Sequence, residues 1–186
     1  MVLKYNKQKL ELLSFNHLLE GMIMAENFEI TAEMKSQIGW ESQPWTYEVT
    51  TTSVRAFARG VGYTDPVYFN VDAAKKAGYK NLPAPPTYLG TAVFIPGQSD
   101  DTFSFPPNSS PTISHGLVNV LDGGTETEYF DTICAGDTLT VVNRLANLET
   151  KASKSLGTML IITQETSYTN QENKVVAKQR SQAIFY

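Results

Sequence analysis

An α+β fold, a curved antiparallel sheet wrapped around a central apolar helix, is predicted for this chain by two observations. Alternating apolar and polar segments joined by short turns fill the C-terminal half, as in an antiparallel meander. Ahead of them, Thr87–Phe94 has a helical stretch with Tyr88, Leu89, Ala92, Val93 and Phe94 distributed nearly all round. Such a helix must be covered on every side, and a sheet that curls around it does so.

The elements follow in order. Residues 1–25 read as a helical extension, because Leu10, Leu13, Phe15, Leu18, Leu19, Met22 and Met24 recur at spacings of three and four. Residues 26–186 then form a single domain. Trp45–Val49 alternates as a short strand, with Trp45, Tyr47 and Val49 on one face. Ser53 is the expected N-cap of a helix over Val54–Val61, which Gly62 ends. Tyr63–Phe69 reads as a loop broken by Pro66. Asn70 caps a second helix, Val71–Ala77, and Gly78 closes it. Leu82-Pro83-Ala84-Pro85-Pro86 is a rigid lead-in, with Pro86 placed to start the apolar helix. Residues 96–112, rich in Pro, Gly, Ser, Asn and Asp, form a long loop of the kind that serves as a binding lid or stays disordered. Strands follow at Thr125–Phe130, Thr138–Leu148 and Gly157–Tyr168; Asn170–Asn173 is a hairpin turn and Val175–Phe185 the return strand. This order is that of a hot-dog domain.

Composition narrows the function. The 186 residues suit one domain, and 41% hydrophobic against 18% charged is enough for a packed core. Fifteen basic against nineteen acidic residues leave a net charge of −4, which gives nucleic acid or an anionic membrane no electrostatic reason to bind. A single cysteine, Cys134, excludes an internal disulfide, fits a reducing cytosol and reads as a buried thiol. No apolar run approaches the roughly 18 residues of a membrane span, and Glu11, His17 and Glu20 interrupt Leu10–Met24 without a cleavage site. A cytoplasmic protein is expected. Without a Gly-rich phosphate loop, a Cys/His zinc spacing or a Ser nucleophile elbow, neither a metal nor a nucleotide cofactor is expected.

Several segments resemble the MaoC-like dehydratases and (R)-specific enoyl-CoA hydratases. Phe57-Ala58-Arg59-Gly60-Val61-Gly62-Tyr63-Thr64-Asp65-Pro66-Val67-Tyr68 and then Asn70 to Tyr79 are similar to that family's overhang segment. Ala84-Pro85-Pro86-Thr87-Tyr88 looks like the start of the central helix in its N-terminal-type domains. His115-Gly116-Leu117, Gly123-Gly124-Thr125-Glu126 and Ala135-Gly136-Asp137 look like the strand-and-turn region beyond. The resemblance runs over residues 40–186 and implies the hot-dog fold and acyl-thioester chemistry.

The family's motif, Gly-Asp-x-Asn-Pro-x-His, supplies the Asp and His that add water to an enoyl thioester or remove it. At those positions stand Tyr63 and Tyr68, with Asp65 in place of the asparagine. A phenol, with a reference pKa near 10, is a poor general base at neutral pH. A His-Gly at the start of the family's central helix offers a backbone N–H to the thioester carbonyl. Pro85 and Pro86 stand there instead and carry no N–H, so Thr87 N–H is the nearest substitute. The resemblance is therefore to degenerate domains of this family, which wall the acyl tunnel beside a catalytic partner.

Each candidate residue has a structural reading beside its functional one. His115 is either a displaced base, paired with Asp122 or Glu126, or a hydrogen-bonded histidine at a strand start. Asp65 is a substitute acid or the organiser of the turn at Pro66. Tyr63, Tyr68, Thr87, Tyr88 and Phe94 contact substrate or pack. Lys75, Lys76 and Lys80 meet coenzyme A phosphates or a carrier-protein arm, or form a solvated face. His17 reads as surface or extension packing.

Four functions compete: an acyl-thioester-binding subunit of a hydratase or dehydratase, inactive alone; a hot-dog thioesterase, disfavoured because Thr87–Phe94 holds no carboxylate; a binding module for an acyl thioester or another hydrophobic ligand; and an active hydratase using His115. The expected partners are an acyl-CoA or acyl-carrier-protein thioester and a second hot-dog subunit, in a homodimer or a heterodimer.

Overall fold

The computed structural model describes residues 28–90 and 108–186. The N-terminal helix expected over residues 1–25 lies outside these, as do Phe94 and most of the 96–112 loop. Five strands, β1 (Trp45–Glu48), β2 (Val120–Tyr129), β3 (Thr138–Ser153), β4 (Gly157–Thr169) and β5 (Val175–Phe185), form one antiparallel sheet in the order β1-β3-β4-β5-β2. Three helices, α1 (Ala32–Ser36), α2 (Thr51–Gly60) and α3 (Val71–Lys76), lie on the N-terminal side of β2 in the chain.

Strands β3, β4 and β5 are the predicted meander, and β3 runs on to Ser153 rather than stopping at Leu148. Strand β2 begins at Val120, ahead of the predicted Thr125, because Gly123 and Gly124 bend the chain without ending the strand. The ladder to β5 slips between Asp122 and Gly124, a β-bulge. A Cβ at Gly123 would lie 2.8 Å from Gln182 Cβ, and Gly124 has φ +102, so both positions require glycine. Asp122 Oδ1 accepts the Gly124 N–H at 2.8 Å and holds the bulge.

Helix α2 starts earlier than the sequence predicts. Thr50, not Ser53, is the N-cap: its hydroxyl accepts Ser53 N–H at 3.0 Å, while Ser53 Oγ accepts Thr50 N–H at 3.0 Å. Ser53 completes a capping box from the third helical position, a role more often filled by Glu or Gln. The expected helix over Thr87–Phe94 begins, within the described residues, as a 3₁₀ turn over Tyr88–Gly90.

The registers set four rows side by side on the core face of the sheet. Val141, Tyr168, Ala177 and Tyr129 form one end row, and Leu148, Ile162, Ala183 and Asp122 the other. Between them run Asn143, Thr166, Gln179 and Thr127, then Leu145, Gln164, Ser181 and Thr125. Two apolar clusters flank this polar middle. One joins Leu139, Val141, Tyr168 and Ala177 to Val54 of α2, Ala74 of α3 and Leu82. The other joins Leu145, Leu148, Leu160 and Ile162 to Met34 of α1 and Leu117. Polar side chains in the middle tie residues 109–110 to the sheet: Asn143 Nδ2 donates to Ser109 O at 2.8 Å and Gln164 Nε2 to Ser110 Oγ at 3.0 Å. On the opposite face Glu165 pairs with Lys178 and Arg180.

Candidate functional site

The overhang is built twice by one device. Val61 is the C-cap of helix α2, and Gly62, with φ +83, turns the chain so that Tyr63 N–H donates back to Ala58 O at 2.9 Å. Helix α3, capped by Asn70 as predicted, has Ala77 as its C-cap, and Gly78, with φ +94, sends Tyr79 N–H back to Ala74 O at 3.0 Å. Both are Schellman motifs, which need a residue that adopts a left-handed conformation at low cost.

Between the helices, the predicted loop contains a 3₁₀ turn over Pro66–Tyr68. Asp65 Oδ1 accepts Val67 N–H at 3.0 Å and caps this turn, so the structure gives Asp65 the organising role. Arg55 Nε of α2 donates to Phe69 O at 3.0 Å and pins the turn's far end. The result brings together the degenerate motif positions: the Tyr63 and Tyr68 rings lie 5.1 Å apart, tilted by 39°. The Tyr68 phenol is pushed up from its ordinary value by burial first, then by the negative charge that Tyr63, Tyr79 and Asp65 would set beside its anion. Such a phenol holds its proton at neutral pH.

The start of the central helix packs directly beneath the overhang. Pro85 is fully buried, Tyr88 N–H donates to Pro85 O at 2.9 Å, and Tyr88 is only 2% exposed. Its hydroxyl lies 2.6 Å from Ser53 Oγ and its ring meets Phe57 edge-on at 5.7 Å. Tyr88 is therefore a core residue that locks α2 onto the helix start, not a lining residue. Two more phenols hold the same turn from the sheet: Tyr129 donates to Pro86 O, and Tyr168 to Leu89 O at 3.3 Å. Burial raises both phenols above the ordinary tyrosine value. Thr87 is exposed, and its N–H has no hydrogen-bond partner among the described residues. It is the first amide after Pro85 and Pro86 at this helix start.

Lys75 and Lys76 lie exposed in the last turn of α3, where their charge complements the helix carbonyls. Lys80 does not belong with them. Its Nζ lies 2.5 Å from Asp137 Oδ1, and Asp137, 4% exposed, also accepts from Cys134 N–H at 2.8 Å and Gln171 Nε2 at 3.1 Å. Burial alone would raise the Asp137 carboxyl, but these donors outweigh it and hold the group below its ordinary value. Asn81 Nδ2 donates to Ala135 O at 2.8 Å, and Pro83 bridges Cys134, so residues 80–84 are sewn along 133–137. Cys134 is buried, as expected of a spectator thiol, but in this bridge rather than at a strand end.

His115 lies elsewhere, against the polar middle of the sheet. Its Nδ1 accepts Leu117 N–H at 3.1 Å and its ring packs 4.3 Å from Phe185. The pairing with Asp122 or Glu126 is not what the structure shows: Asp122 is engaged by Gly124 N–H, and the lowering of the His115 pKa comes from burial, with no carboxylate contributing. His115 instead borders a groove of about 310 Å³ over β4 and β5, with Gln164, Ser181, Ile113, Ile162 and Phe185. Sequence reasoning missed Gln164 and Ser181, which look like ordinary polar positions of alternating strands. It also missed Ser53, Tyr129 and Asp137 as the residues that hold the helix start; the Ala-Gly-Asp motif was the one available signal.

A five-stranded sheet with this order, covering a helix start beneath an overhang of two capped helices, defines a hot-dog domain of the dehydratase and hydratase class. The chain belongs to the FAS1-like dehydratase domain region family, whose model matches residues 36–179. It is 30% identical over 132 residues to a UPF0336 protein of Parafrankia sp., covering 71% of this chain and 80% of that one. In fold it is similar to the HadBC (3R-hydroxyacyl-ACP dehydratase) complex of Mycobacterium tuberculosis, with a TM-score of 0.57 and 18% identity over 80% of this chain and 96% of that one. A MaoC-like dehydratase of Rhodospirillum rubrum gives a TM-score of 0.54 and 17% identity, over 80% and 92%. Among the described residues no helix is long and apolar enough to cross a membrane.

Proposed function

We propose that this chain is an acyl-thioester-binding subunit of a hydratase or dehydratase interconverting 3-hydroxyacyl and enoyl thioesters, and that a catalytic hot-dog partner supplies the proton-transfer pair. The observation that carries this reading is the pair Tyr63 and Tyr68. These phenols stand 5.1 Å apart at the motif positions, and Tyr68 is shifted away from acting as a base. A hydration needs a group that takes a proton from water near neutral pH, and neither side chain is one.

The chain's own contribution is binding and exclusion. Thr87 N–H is a donor for a thioester carbonyl, the tyrosines of the overhang form the lip of the site, and Lys75 and Lys76 meet the phosphates of coenzyme A or of a carrier-protein arm. The similarity in fold to a HadBC complex supports a heterodimer. The described β2 carries a free backbone edge with Val120, Leu121 and Tyr129 exposed, which a paired subunit would cover. A cytoplasmic location and an N-terminal extension of residues 1–25 ahead of a domain over 26–186 complete the reading.

Co-expression with the neighbouring hot-dog reading frame, followed by crotonyl-CoA hydration by the pair and by each half, tests it. Activity is expected from the pair and not from this chain alone. Robust hydration by this chain alone, abolished by His115→Ala, would instead make it an active hydratase.

A further inference from the structure

The groove beside His115 is not lined as a channel for plain hydrocarbon. Ile162, Phe185 and Ile113 give it apolar walls, but Gln164, Ser181 and His115 reach the same space. Gln164 spends one N–H on Ser110 Oγ, and neither its carbonyl oxygen nor the Ser181 hydroxyl has a hydrogen-bond partner among the described residues. The imidazole is set in one tautomer. Because Nδ1 accepts Leu117 N–H, the proton of the neutral ring sits on Nε2, which is then a donor. Burial favours that neutral form. Among the described residues no carboxylate, ammonium or guanidinium group lines the groove, so their chemistry suits an uncharged ligand. A saturated chain laid there would strip water from a donor and acceptors and return no hydrogen bond.

The position is as informative as the lining. Tyr168 touches Leu89 at the helix start, and Gln164 and Ile162 lie four and six residues away along β4. At about 3.3 Å per residue this places the groove roughly 13–20 Å along the sheet from the helix start. The volume of about 310 Å³ lies at the lower limit of small-molecule sites, enough for a chain segment and not for a thioester carrier.

We infer that this groove receives the distal part of an acyl chain bearing a neutral oxygen function (hydroxyl, keto or ether), with the His115 Nε2–H donating to that oxygen. Gln164 and Ser181 complete the polar contact, accepting from the ligand where the oxygen is a hydroxyl. The inference rests on the acyl-thioester reading for its ligand, but not on the presence of a catalytic partner.

The test compares dodecanoyl and ω-hydroxydodecanoyl chains, each as the CoA thioester and as the methyl ester, by equilibrium binding to the full chain. The oxygenated chain is expected to bind on the order of tenfold more tightly in both forms, as one added hydrogen bond in a desolvated site provides. His115→Phe and Gln164→Leu should each remove most of that preference without weakening the plain chain. Circular dichroism and thermal melting of the variants establish that they are folded, and Ser181→Ala, the smallest change, gives a second measure of the preference. Failure of either CoA thioester to bind, with the preference intact among the methyl esters, would sink the thioester reading and leave the groove assignment standing. Equal affinity for the two methyl esters, absence of binding by both, or a preference untouched by all three substitutions would overturn the groove assignment.

Discussion

The helix start and the groove beside His115 treat polar side chains in opposite ways. Around the helix start, the phenols and the Asp137 carboxylate are used internally: Tyr88 on Ser53, Tyr129 on Pro86 O, Tyr168 on Leu89 O, and Asp137 on three donors. Around the groove, Gln164, Ser181 and His115 keep hydrogen-bonding capacity that no described residue uses. The phenols and Asp137 thus serve as a scaffold for the helix start, while Gln164, Ser181 and His115 lie further along the sheet. Stability and recognition should therefore separate: polar deletions near the helix start cost folding energy, and those in the groove cost selectivity.

Truncating Tyr88 is the strongest way to break this comparison. Tyr88→Ala removes a fully buried ring and is expected to cost about 3–5 kcal/mol, as large-to-small aromatic changes in cores do. Tyr88→Phe, which deletes only the hydroxyl facing Ser53, should cost about 0.5–1.5 kcal/mol. Urea denaturation of both variants measures the difference; equal, small losses would show that α2 is not locked through this residue.

Asp137→Ala comes next, at about 2–3 kcal/mol, because it leaves a buried Cys134 N–H without its acceptor. Lys80 is 55% exposed, so the ion pair itself adds little. The folded carboxyl lies below its ordinary value, so its contribution is fully present above the unfolded pKa of about 3.8 and is lost as pH falls through the lower folded value. The wild type should therefore destabilise on acidification below about pH 4, and Asp137→Ala should show a shallower dependence there. A parallel pH profile in the two proteins would count against this account.

Thr50→Ala opens the capping box of α2 and should lower stability by about 1 kcal/mol, readable in the same denaturation experiment. Gln164→Leu sits at the small end. With its carbonyl oxygen unpartnered among the described residues and only an exposed hydrogen bond to Ser110 to lose, its replacement should shift stability by no more than about 0.5 kcal/mol in either direction, while removing most of the selection for the oxygenated chain. A loss comparable to that of Asp137→Ala would mean that the groove is as much a part of the scaffold as the helix start, and the contrast would fail.

Much of this was legible residue by residue. Asn70 and Gly78 bound α3 because a side-chain cap and a left-handed glycine act within a few residues of themselves. The alternation of β4 and β5 and the turn at Asn170–Asn173 declared the meander for the same reason. Misplacements also have local causes. Thr50 and Ser53 are both good caps, and which one leads depends on where the preceding strand ends. At Gly123-Gly124 a pair of glycines reads equally well as a strand boundary and as a bulge within a strand.

The sequence by itself determined the architecture and the single cysteine's buried setting, since periodicity and composition are properties of contiguous residues. Only the tertiary structure decided what the polar side chains do. Lys80 meets Asp137 across 57 positions, Tyr88 meets Ser53 across 35, and His115 reaches the groove through rows of β4 and β5 that no spacing in the chain reveals. A hydrogen bond depends on a few tenths of an ångström and on direction, and strand register, which sets both here, is fixed by pairing between segments far apart in sequence.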